Sequence, residues 1–415
     1  MLHYTLIAFA LLALLAIVFE EVIHVNKAKS TLFLGTLSWI LIFLFPEQGV
    51  TPEQLREMLN ENLLDIAGLW LFLMSAMTFV AFLNHQGLIE TLIYRLLPSQ
   101  ISERKLIFLV GIFSFVFSSL CDNITATLVS IALVLSLGLE RRKTLRLSVL
   151  VVFAVNSGGV SLITGDVTTL MVFLAGKVQI SDLLLLSLPA FFSTMLLAAM
   201  LSRPLVGEVI ITPTPRKDDR VGKVIAVIFL ATIISTIILN IVAGIPPVLT
   251  FLFGLSTMFL LGRFLYEEDT RENLLDYVRR IEFDTLMFFL GILLLVGMLK
   301  EIGTLDSLVG IYQLLPVTIA NFAMGVFSAF VDNVPLTAAL LKSGVEMSKA
   351  EWLSLTYSVG VGGSLLAIGS AAGIVAMSKV DILNFGSYAR YVIYLSIAFL
   401  AGYISSYILG GYFIQ

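Results

Sequence analysis

The sequence predicts an all-α polytopic membrane protein of two inverted repeats, each with a re-entrant hairpin and a broken transmembrane helix. Three observations carry this. First, the 415 residues are 58% hydrophobic and 13% charged, where a soluble domain carries about 25% charge; mean hydropathy is +1.00. Second, the apolar residues form long runs rather than the short alternating segments of a barrel. Third, the polar interruptions of those runs occur twice, in the same order.

Apolar runs of spanning length cover 4–19, 31–45, 64–84, 182–202, 223–242, 247–265, 284–299 and 387–412. Between them, 106–139 is interrupted by Asp122-Asn123 and 145–176 by "NSGGVSLITGDVTT"; 315–341 and 352–378 repeat both patterns. The total is about 11 to 13 segments at roughly 20 residues per span. The first run has no basic flank and no small-residue cleavage site, so it reads as a retained helix rather than a signal peptide. "GEVIITPTPRKDDRVGK" (207–223) holds two prolines and a charge cluster. It divides the chain into a first half (1–205), a linker (206–222) and a second half (223–415), each half having scaffold helices followed by a hairpin and a broken helix.

The halves align residue by residue. "FLNHQG" (82–87) matches "MLKEIG" (298–303), and Asp122-Asn123 matches Asp332-Asn333, with Ser118 and Ser328 each four residues earlier. Thr127 matches Thr337, and "GGVSLITGD" (158–166) matches "GGSLLAIGS" (362–370). Such duplication recurs in transporter folds. "SERK" (102–105) and "ERRKTLR" (140–146) make both feet of the first Asp-Asn segment basic, whereas "YQLLP" and "KSGVEMSKAEW" flank the second. Basic residues favour the cytoplasmic side, so the two hairpins face opposite ways and their tips meet near the midplane.

A carboxylate inside a bilayer costs several kcal/mol and marks a functional candidate. Asp122, Asp166 and Asp332 are such residues, whereas Glu20, Glu21, Asp65, Asp284 and Glu301 are expected at solvated helix ends. Oxygen ligands surround the three. Ser118, Asn123 and Thr125 lie near Asp122; Asn156, Ser157 and Thr164 lie near Asp166; Ser328 and Asn333 lie near Asp332; Ser364 and Ser370 sit in the second broken helix. Gly158, Gly159 and Gly165, with Gly362, Gly363 and Gly369, break the helices and free carbonyl oxygens. Hard oxygen donors with carboxylates suit an alkali cation or a proton. The second half has Ser370 where the first has Asp166, and Gly360 where it has Asn156. The primary Na+ site is therefore expected at Asp122, Asn123, Asn156 and Asp166, with Asp332 a second proton carrier or supporting ligand. Lys177 and Lys300 read as snorkelling interface residues.

The rest of the composition narrows the chemistry. Cys121 is the single cysteine, and His3, His24 and His85 are far apart in sequence, so no thiol pair or histidine cluster holds a softer metal. No G-x-x-x-x-G-K-[ST] loop is present, so neither a nucleotide nor an ATP-driven cycle is expected. Nor is a nucleic-acid partner or a cofactor; the expected cargo is Na+ or Li+ against H+, and the expected partner is the lipid bilayer. Aspartates facing each other across the hairpins also fit an intramembrane aspartyl hydrolase, a distant alternative because hydrolysis needs no symmetric glycine breaks.

At "CDNITAT", "NSGGVSLITGDVT", "VDNVPLTAAL" and "GGSLLAIGSAAG" the chain resembles the NhaD sodium/proton antiporters of the ion transporter superfamily over nearly its whole length. The resemblance implies a dimerising scaffold domain, a mobile transport domain, elevator-type movement and a prokaryotic inner membrane. The related sodium-coupled dicarboxylate carriers have Ser-Asn-Thr at their hairpin tips; aspartate replaces that serine here, which fits cation and proton transport. Arsenite exporters and sodium-coupled organic anion carriers are the alternatives within the superfamily.

Overall fold

A computed structural model describes residues 2–18, 20–23, 25–46, 50–88, 98–210, 220–265 and 274–413. Residues 211–219 of the expected linker, and His24, lie outside the described residues. Among the described residues, the α-helices of eight residues or more are α1 (Leu2–Val18), α2 (Lys27–Leu44), α3 (Pro52–His85), α4 (Glu103–Leu120), α5 (Asn123–Ser136), α6 (Arg141–Gly159), α7 (Val167–Leu174), α8 (Ile180–Ser202) and α9 (Arg220–Ala243). They continue with α10 (Pro247–Leu265), α11 (Phe283–Glu301), α12 (Asp306–Leu314), α13 (Val317–Ser328), α14 (Asn333–Lys342), α15 (Lys349–Gly362), α16 (Ala371–Lys379) and α17 (Val392–Phe413). One ribbon accompanies them: Gln100–Ser102 (β1) pairs antiparallel with Glu208–Ile210 (β2), with Gln100 opposite Ile210. It ties the start of α4 to the segment after α8.

Six helices among the described residues are long and apolar enough to cross a bilayer: α2, α3, α8, α9, α11 and α17. That is fewer than the segments expected from apolar runs, in part because the polar breaks cut 106–139, 145–176, 315–341 and 352–378 into arms of 8 to 19 residues. The outward faces of the long helices are apolar, as at Ile241, Val242, Phe253 and Leu260. Such a belt requires lipid rather than water against it.

The helices form two packed groups. In the first, α2 and α3 both pack on α11, α1 on α2, and α10 on α3 and α9. The α2–α11 contact is close because a Cβ on Gly291 would run into the backbone at Leu32. Three side chains bond backbone carbonyls of α11: Trp39 Nε1 donates to Leu294 O at 3.0 Å, Trp70 Nε1 to Leu286 O at 2.7 Å and Asn62 Nδ2 to Leu293 O at 3.4 Å. In the second group, α4 packs on α5 and α6, α13 on α14 and α15, and α8 on α17. The groups meet where α14 lies against α11.

A second sequence expectation changes. Asp65 is not at a helix end, since α3 begins at Pro52. Thr51 caps it by accepting from Gln54 N, while the Gln54 side chain accepts from Thr51 N. This reciprocal capping starts the helix well before its apolar run.

Candidate cation site

Four helices begin at the polar breaks, and the residues singled out by sequence cap them. Asp122 Oδ1 accepts from Thr125 N at 2.9 Å to start α5, and Asp166 Oδ1 accepts from Thr168 N at 3.1 Å to start α7. Asp332 Oδ1 accepts from Val334 N at 3.2 Å to start α14, and Ser370 Oγ from Gly373 N at 3.3 Å to start α16. Each cap satisfies an orphan helical N–H. The preceding arms, α4, α6, α13 and α15, end at the same breaks, bringing carbonyl-bearing C-termini beside four N-termini. Helix C-termini attract cations and N-termini attract anions. The three aspartates offset the N-terminal dipoles, leaving a place where carbonyl, carboxylate and amide oxygens converge.

That place is a cavity of about 80 Å³ between the two helix groups. The broken-helix side supplies Asp122, Asn123, Asn156, Thr164, Gly165, Asp166, Asp332, Asn333 and Ser370; α3 supplies Leu73 and Met77; α11 supplies Thr285, Phe288 and Phe289. Asp166 is the hub. Its Oδ2 accepts from Asn123 Nδ2 at 3.1 Å and from Asn333 Nδ2 at 3.0 Å, so both Asp-Asn pairs reach one carboxylate oxygen. Asn156 is fully buried; its Nδ2 donates to Val152 O at 2.8 Å and to Ser370 Oγ at 3.1 Å. Its Oδ1 is buried without a hydrogen-bond partner. A buried unpaired carbonyl oxygen is costly, and a cation in this cavity would satisfy it.

The supporting residues act at the next remove. Ser118 Oγ lies 2.9 Å from Asn123 Oδ1 and 2.8 Å from Val155 O, two acceptors for its one hydrogen. Ser328 Oγ donates to Val359 O at 2.8 Å, and Ser364 Oγ to Val361 O at 2.6 Å. Thr164 Oγ1 donates to Ser119 O at 2.7 Å, and Thr125 contributes the N–H that caps Asp122. Ser157 is buried with an unpartnered hydroxyl. The glycines permit close packing. A Cβ on Gly158 would strike Phe115 O and one on Gly362 would strike Gly325 O, the same collision in each half. Gly159 has no room beside Asn123, Gly165 beside Ser118 O, Gly363 beside Gly369 O, or Gly369 beside Ala329 O.

Lys27, missed by sequence reasoning, sits at the start of α2 with its Nζ 3.4 Å from Asp332 Oδ2. No local pattern signals it, because the pair is 305 residues apart. Glu282, also missed, precedes α11 and accepts from Thr285 Oγ1 at 3.3 Å. Burial, reinforced by the negative charge of Asp122, pushes its carboxyl up to about 7. No group of three or more His, Cys, Asp or Glu among the described residues is placed to hold a metal ion. Any cation here relies on amide, hydroxyl and carbonyl oxygens beside a carboxylate.

Residues 2–373 match the citrate transporter family. The Na(+)/H(+) antiporter NhaD of Alkalimonas amylolytica is 33% identical over 408 residues, covering 91% of this chain and 84% of that protein. The chain belongs to the NhaD family. Other NhaD relatives agree: the Vibrio cholerae protein is 31% identical over 90% of this chain and 86% of its own length. A plant relative, sodium/proton antiporter 1 of Arabidopsis thaliana, is 30% identical over 94% of this chain and 70% of its own length. NhaD membership and the apolar helices together make the chain an integral membrane protein.

Proposed function

We propose that this protein exchanges Na+ or Li+ for H+ across a prokaryotic inner membrane as a secondary antiporter. The observation that carries the reading is the convergence of Asn123 and Asn333 on Asp166 Oδ2, in a cavity that Asp122 also lines. An asparagine amide carries both a donor and an acceptor. The same two side chains can therefore hold a carboxylate or turn an oxygen to a cation. A proton and a cation compete for Asp166 and Asp122, because bound cation favours the ionised carboxylate and desolvation favours the protonated one. Competition for one site couples the two fluxes.

The wider mechanism follows from the arrangement. The repeated contacts of Ser118 and Ser328, and of Gly158 and Gly362, support an internal duplication into halves 1–205 and 223–415. The charge bias at the feet of α4–α5 and α13–α14 supports inverted orientation and re-entrant hairpins. The group of α1, α2, α3, α9, α10 and α11 acts as a dimerising scaffold, and the group that holds the broken helices acts as the moving part of an elevator. Carboxylates at the cavity repel an organic anion, which disfavours citrate or another carboxylate as cargo despite the family description.

The test is Na+-dependent dequenching of a pH dye in everted vesicles, with Li+ and K+ alongside. Exchange with Na+ or Li+ and not K+ is expected, and Asp166→Asn should reduce it by about a hundredfold or more, as expected for an intramembrane carboxylate that binds the transported ion. Full exchange in both Asp122→Asn and Asp166→Asn would sink the reading.

A further inference from the structure

Lys27 has no role in the exchange described so far, yet it lines the same cavity as the three aspartates. It is the one basic side chain among the described lining residues. Its ammonium lies 3.4 Å from Asp332 Oδ2 and 4.7 Å from the centre of the Phe288 ring. The pair is largely shielded from water, with side-chain exposures of 21% for Lys27 and 10% for Asp332. The backbone holds the lysine in place. Asn26 caps α2 by accepting from Ala28 N at 2.8 Å and donates from Nδ2 to Asp284 Oδ2 at 2.8 Å. Lys27 N donates to Glu20 Oε1 at 3.0 Å.

Geometry therefore separates the two Asp-Asn pairs that sequence made equivalent. Asn333 reaches Asp166, whereas its neighbour Asp332 turns to an ammonium on the opposite helix group. We propose that Lys27 is a tethered counter-cation that neutralises Asp332, lowering the cavity's affinity for Na+ and keeping Asp332 from acting as a second cation ligand. An ammonium on a long stem is the size and charge of the monovalent cargo, but it cannot leave. A cavity that held three unpaired carboxylates would grip a cation too tightly to release it. With Asp332 paired, the site retains enough negative charge for one monovalent ion. The inference rests on the exchange reading.

The test is a charge cycle on the full-length protein in liposomes, reading the apparent KM for Na+. Lys27→Met removes the positive charge and should lower KM by about tenfold, given an effective dielectric near that of a partly shielded site. Asp332→Asn leaves the ammonium unneutralised and should raise KM by a similar factor. The double variant removes both charges and should return KM close to that of the wild type. Lys27→Arg should keep it there throughout. If the double variant keeps the raised KM of Asp332→Asn, Asp332 is itself a Na+ ligand and the proposal fails. A lower maximal rate in Lys27→Met with an unchanged or raised KM would reduce Lys27 to a structural role and also overturn it. Thermal stabilisation of the purified variants by NaCl over choline chloride reads the same affinities without turnover, so a variant that binds but does not transport is still decisive. A wild type that moves no protons with Na+ sinks the exchange reading instead, which keeps the two failures apart.

Discussion

Asp166 and Ser370 occupy the same place in the two halves, and the difference between them is chemical rather than geometric. Both have extended backbone, with φ −137° and ψ 139° at Asp166 and φ −145° and ψ 150° at Ser370, and both cap the next helix. Asp166 collects two asparagine amides, whereas Ser370 receives the amide of Asn156 from the other half. Ten residues earlier, Gly360 stands where Asn156 stands in the first half. A side chain there would meet Val160, with Asp166 Oδ2 just beyond. At these two positions the first half supplies an amide and a carboxylate, and the second supplies room and a hydroxyl.

Breaking this asymmetry should produce the largest effect. Asp166→Ser makes the first break resemble the second and removes the hub, with exchange expected to fall about a hundredfold or more. Ser370→Ala loses only a cap and one hydrogen bond, worth about 1 kcal/mol, so exchange should fall about fivefold or less. Dye dequenching in everted vesicles across a range of Na+ compares the two. Equal losses would mean that the breaks matter only as helix caps.

The glycine collisions test what the halves share. Gly158→Ala and Gly362→Ala each force a methyl group against a backbone carbonyl, and overpacking of this kind costs about 1–3 kcal/mol. Both should lower the unfolding temperature of the detergent-purified protein, and by similar amounts. Gly68→Ala, with nothing within 4 Å of the added methyl, is the neutral control. A large effect at one glycine alone would break the equivalence of the two halves at the level of packing.

What could be read from sequence follows the same division. Both Asp-Asn pairs, the glycine breaks and the Asp166–Ser370 mismatch were legible because each is a local pattern that appears twice. The early start of α3 was legible in principle through Thr51 and Gln54, but Glu53, Arg56, Glu57 and Glu61 hid it behind a polar first stretch. Lys27 and Glu282 were not legible at all. Each lies at the start of a long helix, where a charged residue is unremarkable, and only packing of the long-helix group against the breaks turns it towards the aspartates. The β1–β2 ribbon escaped for a related reason: three-residue strands carry no periodicity, and their pairing spans more than a hundred residues.

Glu282 sharpens the comparison in pH, because the negative charge of Asp122, at the first break, acts on it. Its carboxyl, raised from 4.5 to about 7 by burial, stays protonated well above the ordinary carboxylate range. The charged groups acting on it are Asp122 and Asp284, which raise it, and Lys27, which lowers it, while the Thr285 hydroxyl also favours the ionised form. A folded-state value above the unfolded one stabilises the fold at low pH, and that contribution fades as pH rises from 4.5 through about 7. Glu282→Gln should flatten that part of the unfolding-temperature profile. It should also remove a negative charge near the cavity above pH 7, reducing exchange there by a factor of about two to five at an effective dielectric near 20. Unfolding temperature and vesicle exchange measured from about pH 5 to 9, the interval over which such a group titrates, check both. Profiles identical to wild type would remove Glu282 from the site.

The smallest expected difference lies between two serines that sequence made equivalent. Ser118 and Ser328 each hold the carbonyl of the facing helix, Val155 O and Val359 O, at 2.8 Å. Ser118 alone also lies against the Asn123 amide oxygen, at 2.9 Å. Losing the shared bond costs about 1 kcal/mol in either alanine variant, so both should unfold at similarly lowered temperatures. Exchange should separate them. Ser118→Ala frees the Asn123 amide to rotate away from Asp166 and should raise the apparent KM for Na+ about threefold, the effect of losing one modest hydrogen bond. Ser328→Ala should leave KM unchanged, because the contact it makes is confined to backbone. Equal KM values in the two variants would mean that Asn123 holds its orientation without Ser118, and the difference between the halves would then rest on Asp166 alone.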